Sequence, residues 1–478
     1  MVPDLATPKR VHVVAAGGAA MSAIAHILRA LGHEVSGSDQ ASSPILDRLR
    51  AIGCTIWVGH DAEHVRGVDL VVISTAVQPS NPERIAAVRL GIPVATRPDM
   101  MEAIGRLRRT IAISGTHGKT TTSAMAAQVF VDLSFDPSFI VGGQIRRFDS
   151  GVRWVDSPWL VVEADESDSS FLRFGAEAVI VTNIEADHLD HHGSMAGLEA
   201  AFDRFVQQAR GPRVVCADDV GCRALIARVV RASAGTLADE RGSTIITYGT
   251  SMDADVRIVD FEPLQLGSRF VLEHHGARTD VTIRSGGLHN ARNAAAVFAM
   301  AISLGADREL VAVALERFAG VARRFELRGT AGGVTFVDDY AHLPSEVAAN
   351  VGAAATGGWS RIVAVFQPHR YTRVRDVGAD FATSFDGADV VVVTELFAAG
   401  QQPIEQIDST IVSNAIRAAR PGLDVRDTNS RPQLVELLSS LLRPGDLCLT
   451  MNAGDLTSLP DELLAHPAFA LSPTNGQP

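Results

Sequence analysis

Lysine is almost missing from this chain of 478 residues: Lys9 and Lys119 are the only two, and the rest of the positive charge is arginine. Arginine grips carboxylate and phosphate with a planar fork, but it is no compact ammonium. It can replace lysine across a surface, yet not where a site needs a point charge, so Lys119 stands out before any motif is read. Chance retention during compositional drift is the bland alternative. Cysteine is sparse as well. Cys54, Cys216, Cys222 and Cys448 lie scattered, and the nearest pair, with five residues between, lacks structural-zinc spacing. Buried, reduced thiols are expected. No run of about 18 apolar residues occurs, and the opening MVPDLATPKR holds no apolar core of signal-peptide length. A soluble, cytoplasmic chain without membrane insertion is expected. Basic charge is in deficit, with 43 Lys+Arg against 55 Asp+Glu and a net charge of −12, which argues against a nucleic-acid binder. Local basic groups still permit an anionic small substrate.

What is present describes a globular protein, 46% hydrophobic and 21% charged. The length exceeds one ordinary core, so roughly two to four domains are expected. Strand and helix patterns alternate from the start: strands at 11–15, 34–38, 70–74 and 94–96, with a helix running through Leu31. A boundary falls near Arg106–Arg109. A second series places strands at 159–163, 178–183, 213–217 and 244–248, then β-rich sequence at 255–261, 269–273 and 279–283 before a helix at 290–304. A third opens near Arg328, with strands at 334–338, 361–367, 390–394 and 446–450. Such alternation predicts parallel sheets with helices on their faces, an α/β chain of three domains at 1–107, 108–326 and 327–478. The last residues, 472–478, read as a disordered tail.

The richest stretch is Ala112-Ile113-Ser114-Gly115-Thr116-His117-Gly118-Lys119-Thr120-Thr121-Thr122. It sets a glycine turn, the second lysine and a hydroxyl between an apolar strand at 110–113 and a helix at 121–131. Backbone N–H groups of such a turn, with a helix dipole behind them, form an anion site. Lys119 would reach the terminal phosphates of a nucleotide, and Thr120 would meet Mg²⁺. Gly115 and Gly118 are three apart, whereas the general phosphate-loop pattern separates them by about five. An ordinary strand–helix turn therefore stays open.

Two acidic runs follow strands: Glu163-Ala164-Asp165-Glu166-Ser167-Asp168, and Asn183-Ile184-Glu185-Ala186-Asp187-His188. Ligands gather at the carboxyl ends of parallel strands, and hard oxygens with an imidazole suit nucleotide-bound Mg²⁺. Each run alone reads equally well as a solvated loop, and His191 and His192 read as surface residues. His289 and Asn293 offer groups suited to a purine edge, while Asn290 reads as a helix cap. Arg323-Arg324 at the second boundary reads either as a phosphate clamp or as surface charge. In the third segment, Asp338-Asp339-Tyr340-Ala341-His342 and Gln367-Pro368-His369-Arg370-Tyr371-Thr372-Arg373 follow strands; Arg370 and Arg373 are placed to hold a small carboxylate.

Taken together, these motifs resemble the Mur ligase family, the ATP-dependent enzymes that add amino acids to the peptidoglycan precursor. The likeness spans nearly the whole chain, from Gly17-Gly18 with Met21-Ser22 and Ser36-Gly37-Ser38-Asp39 through to Arg373. It implies a Rossmann-like N-terminal domain, a central P-loop ATPase-like domain and a Rossmann-like C-terminal domain. Within the family it points to the step joining L-alanine to UDP-N-acetylmuramate through an acyl phosphate. The resemblance implies that Gly115, Thr116, His117, Gly118, Lys119, Thr120 and Thr121 bind ATP phosphates, with His289, Asn290 and Asn293 toward adenine. It further assigns Arg324 to phosphate and Asp339 to the ribose. Thr120, Glu163 and His188 would ligate Mg²⁺. Gly17, Gly18, Met21, Ser38, Asp39, Ser74 and Thr75 would hold the UDP-sugar, and Tyr340, His342, Arg370 and Arg373 the amino acid. Lys119, His188, Arg324 and His342 would be the catalytic set, His342 as the base for the amine.

The chain departs from the family at Ala15, Ala16, Ala19 and Ala20, where more glycine is usual, and at Leu343, where an imidazole is usual. A recycling ligase that attaches a preformed tripeptide would share nearly every motif. A Rossmann dehydrogenase fits only the first turn, which lacks G-x-G-x-x-G spacing. A silent homologue that only binds a nucleotide sugar would draw its support from the alanines and Leu343.

Overall fold

The computed structural model describes residues 2–232 and 245–470, so the expected C-terminal tail lies outside the described residues. Three sheets form. The first comprises β1 (Arg10–Val14), β2 (Glu34–Asp39), β3 (Thr55–Val58), β4 (Leu70–Ile73) and β5 (Val94–Thr96), ordered β3-β2-β1-β4-β5. The second comprises β6 (Arg109–Ser114), β7 (Ser138–Ile145), β8 (Ser150–Arg153), β9 (Trp159–Glu163), β10 (Ala178–Val181), β11 (Arg213–Cys216), β12 (Ile245–Gly249), β13 (Val256–Leu264), β14 (Gly267–His274) and β15 (Ala277–Ile283). Its order is β15-β14-β13-β12-β11-β10-β6-β9-β7-β8. The third comprises β16 (Glu326–Ala331), β17 (Val334–Asp339), β18 (Arg361–Phe366), β19 (Val390–Val393), β20 (Asp424–Asp427) and β21 (Asp446–Met451), ordered β16-β17-β21-β18-β19-β20.

The central strands are buried along their whole length: Leu70-Val71-Val72-Ile73, Ala178-Val179-Ile180-Val181 and Val390-Val391-Val392-Val393. Unbroken apolar runs rather than alternation mark parallel strands covered by helices on both faces. Each sheet has a point where the strand order reverses, and there the carboxyl-end turns open a crevice. In the first sheet this lies between β1 and β4. In the second, β6 sits between β9 and β10, which puts the turn after β6 among the two acidic runs.

By compactness the chain divides into two units. The first runs to Ile258 and adds Leu272–Thr279 and Asn293–Leu315; the second takes Val259–Val271, Asp280–Arg292 and the chain from Glu316. Strands β13–β15 divide between the two units, while the first sheet and β6–β12 of the second share one. Within that unit the two sheets are joined by polar contacts from the helix Arg97–Gly105: Arg97 pairs with Asp168, and Arg173 reaches Asp99 at 2.8 Å and Glu102 at 2.6 Å. Among the described residues, no helix is long and apolar enough to cross a membrane.

Asp99 also closes a capping box with Thr96. Burial alone would raise its pKa, but hydrogen bonds from Thr96 and Arg173 outweigh it and lower the value to about 2. A carboxylate depressed below its unfolded 3.8 contributes its stability in full above that pH and loses it as the pH falls through about 2. Asp99→Asn is therefore expected to cost about 2 kcal/mol at neutral pH. Urea midpoints should show the gap to wild type narrowing once the pH drops below 3.8.

Candidate active site

The turn after β6 is built by its glycines. Gly115 has φ +137 and Gly118 φ +81, both in the region that favours glycine. A Cβ on Gly115 would overlap Thr182 Oγ1 and stand 2.9 Å from the Asn183 carbonyl oxygen. The helix begins at Lys119, two residues earlier than the sequence pattern suggests, and runs to Asp132. It therefore starts directly on the loop, with its N–H groups at the turn.

The loop is tied to the end of β10. Asn183 accepts from the His117 amide at 2.7 Å and donates to the His117 carbonyl at 3.0 Å. Thr182 Oγ1 donates to that carbonyl at 2.6 Å. Glu185 stands 3.5 Å from His117 Nε2. Asn183 entered the sequence reading only as the opening of the second acidic run, and Thr182 only as a strand end. Asn293 also reaches the loop, its Oδ1 3.0 Å from where a Gly118 Cβ would stand.

Lys119 Nζ donates to the carbonyls of Gly115 at 2.6 Å and Thr116 at 3.1 Å, and to Glu166 Oε1 at 2.8 Å. Glu166 is 2% exposed, and burial raises its pKa against the opposing pull of Lys119. Thr120 Oγ1 donates to Glu163 Oε1 at 2.8 Å, and Glu163 Oε2 accepts from the Gly142 amide at 2.6 Å. Hydroxyl and carboxylate thus form a pair of hard oxygens of the kind Mg²⁺ takes.

The side chains of the first acidic run do not converge on one point. Glu163 meets Thr120, Asp165 accepts from the Ser167 amide, Glu166 holds Lys119, and Asp168 pairs with Arg97. Side chains six residues deep in a loop turn to different elements. In the second run, His188 is half-buried with φ 52, its Nε2 3.5 Å from Asp187. His192 corrects the surface reading: it is partly buried and its Nε2 lies 2.8 Å from the Glu166 carbonyl. His191 remains exposed and meets Ser169.

In the first sheet, the turn after β1 places one of the four alanines in left-handed backbone. Ala15 has φ 61, whereas Ala19 and Ala20 lie in the helix Ala19–Ala30. The left-handed conformation costs a non-glycine residue about 1–2 kcal/mol. Asp39 Oδ2 accepts from the Gly17 amide at 2.8 Å, and a Cβ on Gly17 would stand 2.8 Å from the same oxygen. Gly18 precedes the helix, and Ser74 with exposed Thr75 follows β4, across the reversal of strand order. Met21 is buried, and so is Ser38, whose hydroxyl lies 2.7 Å from Glu83.

The second unit holds a separate set. The helix expected from Asn290 opens at Leu288, directly after Gly287 at φ +90, and Asn290 Nδ2 donates to the Gly286 carbonyl at 2.8 Å. Asn290 is thus inside the helix rather than its cap. At the end of β17, Asp339 accepts from the amides of Phe325 and Ala341, both at 2.6 Å. Burial raises its pKa to about 6, opposed by Arg324. Arg323 and Arg324 stack over Tyr340 at 4.9 and 5.2 Å, and Arg323 also donates to Asn452.

Close by, the rings of His342 and His369 are 5.9 Å apart, and His369 stacks on Phe397. Arg373 Nη1 lies 2.8 Å from His369 Nδ1, and Arg370 adopts φ 66 just before its helix. Burial, with Arg373 nearby, lowers His369 to about 4, and burial also lowers His342. Neutral imidazoles among guanidinium groups suit a carboxylate beside an amine that must lose a proton. His369 was missed by the sequence reading, although it stands between the strand and both arginines. Glu346 Oε2 accepts from the amides of His342 and Leu343, so it caps the helix that opens at Pro344.

Three family models match in chain order: "Mur ligase family, catalytic domain" over residues 10–109, "Mur ligase middle domain" over 113–301, and "Mur ligase, glutamate ligase domain" over 323–454. The chain is 40% identical to a UDP-N-acetylmuramate–L-alanine ligase of Allorhizobium ampelinum, covering 95% of this chain and 97% of that one. It is 42% identical to one of Kineococcus radiotolerans, with 97% of each covered. Among solved structures it resembles the UDP-N-acetylmuramate–alanine ligase of Thermotoga maritima, with a TM-score of 0.79 and 27% identity over 95% of this chain and 98% of that one. A murein peptide ligase of Psychrobacter arcticus shares the fold, with a TM-score of 0.66 and 23% identity over 97% of this chain and 99% of that one. With relatives this similar along almost its full length, the chain belongs to the Mur ligase family.

Proposed function

We propose that the chain joins L-alanine to the lactyl carboxylate of UDP-N-acetylmuramate with ATP, releasing ADP and phosphate, as a cytoplasmic step of peptidoglycan precursor synthesis. The observation that carries it is the second lysine, mounted on a glycine loop at a helix start and within reach of the Thr120–Glu163 pair. The loop from Gly115 to Thr121 would cradle the phosphates, with His289, Asn290 and Asn293 toward adenine, Arg324 on phosphate and Asp339 on the ribose. Thr120, Glu163 and His188 would hold Mg²⁺, which supplies charge neutralisation on the phosphate oxygens. Gly17, Gly18, Asp39, Ser74 and Thr75 would hold the UDP end.

The sugar carboxylate attacks the γ-phosphate in line, and Lys119 meets the charge that spreads over its oxygens. The acyl phosphate then takes the amine of alanine and collapses to amide and phosphate. Arg370, Arg373 and Tyr340 would fix the alanine carboxylate, leaving its amine near His342. With its pKa lowered by burial, His342 is neutral at physiological pH and has a lone pair for the proton the amine must shed.

Phosphate release with Mg·ATP and UDP-N-acetylmuramate, adding L-alanine or the tripeptide separately, tests this directly. Turnover with alanine and a product heavier by one alanyl residue by mass spectrometry is expected. Turnover with the tripeptide alone would replace the reading with a recycling ligase. Nucleotide binding without turnover would replace it with a silent homologue.

A further inference from the structure

Outside the residues assigned to the ligase reaction, the first sheet buries a second polar cluster. His12 on β1 and Glu83 in the first turn of the helix Pro82–Arg89 are both 0% exposed. His64 approaches from the short helical turn Ala62–Val65. His64 Nδ1 lies 2.7 Å and His12 Nε2 3.4 Å from the same oxygen, Glu83 Oε1. One ligand atom from each of the three lies within 4.8 Å of the others. Of these, His12 Nε2 is buried and makes no hydrogen bond. Its approach to Glu83 Oε1, at 3.4 Å, is long for a hydrogen bond and leaves room for an ion shared between the two.

The surroundings orient these atoms as an outer shell does around a metal. His12 Nδ1 is held at 2.9 Å by Ser36 Oγ, which leaves Nε2 as the atom presented to the cluster. Glu83 Oε2 is held by Ser38 Oγ at 2.7 Å and His60 Nδ1 at 2.8 Å, which leaves Oε1 facing the other two histidines. Trp57 stacks on His64 at 4.3 Å and 9°, fixing the ring's plane while permitting it to slide within that plane.

We propose that His12 Nε2, His64 Nδ1 and Glu83 Oε1 form a binding site for a divalent transition-metal ion, zinc being the ion the donors suit best. Two imidazoles and one carboxylate are a common zinc donor set, with a fourth place for water. Magnesium prefers oxygen donors throughout, so this site differs in kind from Thr120 and Glu163. Bonds of about 2.0–2.1 Å put tetrahedral ligands about 3.4 Å apart, and His12 already stands at 3.4 Å from the carboxylate oxygen. His64 must slide back by roughly 0.7 Å to match. The ion would tie β1 to the segments holding His64 and Glu83. Through Ser38 it would brace Asp39, which fixes the turn at Gly17.

The test is cobalt titration of the full-length, untagged protein after chelator treatment. One equivalent of Co²⁺ should give a visible d–d band of tetrahedral intensity, displaced by Zn²⁺ and unchanged in Glu163→Gln. His64→Ala should lose the band, with affinity down by more than about a hundredfold. His64→Cys, which keeps a ligand, should retain the site and add a thiolate charge-transfer band, so the assignment does not depend on His64→Ala folding. Absence of a tetrahedral band in wild type overturns the site. So does an unchanged band in folded His64→Ala, or loss of the band in Glu163→Gln.

Discussion

Lys119→Ala is expected to lower ATP-dependent phosphate release at least about a thousandfold while the chain stays folded. The catalytic half rests on chemistry. The ammonium is the one compact cation on the loop, and Lys9, the other lysine, lies in another sheet's lead-in. An arginine in its place would bring a fork too wide for a cavity formed by the Gly115 and Thr116 carbonyls, so Lys119→Arg should be nearly as inactive. The folding half rests on Glu166. Removing one partner of a buried ion pair typically costs about 3–5 kcal/mol, because a charge is left stranded. Here burial has already raised the Glu166 pKa, so the stranded carboxylate can escape by taking up a proton. A melting point lowered at high pH and recovering as the pH falls is the signature. Adding Glu166→Gln should restore stability at every pH and leave turnover absent. Full turnover by Lys119→Ala would remove the loop from the proposed mechanism.

The loop was legible because its parts are local: strand, glycines, lysine and helix follow one another within a dozen residues. The buried central strands were legible for a similar reason, since runs such as Val390–Val393 admit few other readings, whereas β3, β7, β8, β16 and β20 went unread. What sequence order hid is direction. Glu163, Asp165, Glu166 and Asp168 look like one cluster, yet the backbone turns each to a different partner. Long-range contacts were hidden too. Asn183 clamps His117 from 66 residues away, and His12 meets Glu83 across 71 residues of chain. Nothing in the local sequence of either histidine names its distant partner. Asp39 was recognised, but its grip on the Gly17 amide depends on two strands lying side by side.

Gly115→Ala is expected to lower stability by about 3 kcal/mol or more and to abolish nucleotide binding. Two costs add. The φ of +137 is a conformation essentially closed to alanine, worth about 1–3 kcal/mol. The new methyl also meets Thr182 Oγ1 and stands 2.9–3.0 Å from the Asn183 backbone; such overpacking costs about 1–3 kcal/mol. Gly118 offers the contrast. Its φ of +81 is ordinary left-handed backbone, and a methyl there meets only Asn293 Oδ1 at 3.0 Å. Gly118→Ala should therefore fold, losing about 1–2 kcal/mol, and show its defect in nucleotide affinity. The two costs at Gly115 can be separated by adding Thr182→Ala, which removes the hydroxyl but neither the Asn183 contacts nor the strain. Urea midpoints should show only part of the loss recovered in the double variant. Complete recovery would mean that side-chain crowding alone requires glycine there, and that the backbone bend delivering the helix N-terminus to the phosphates is available to other residues.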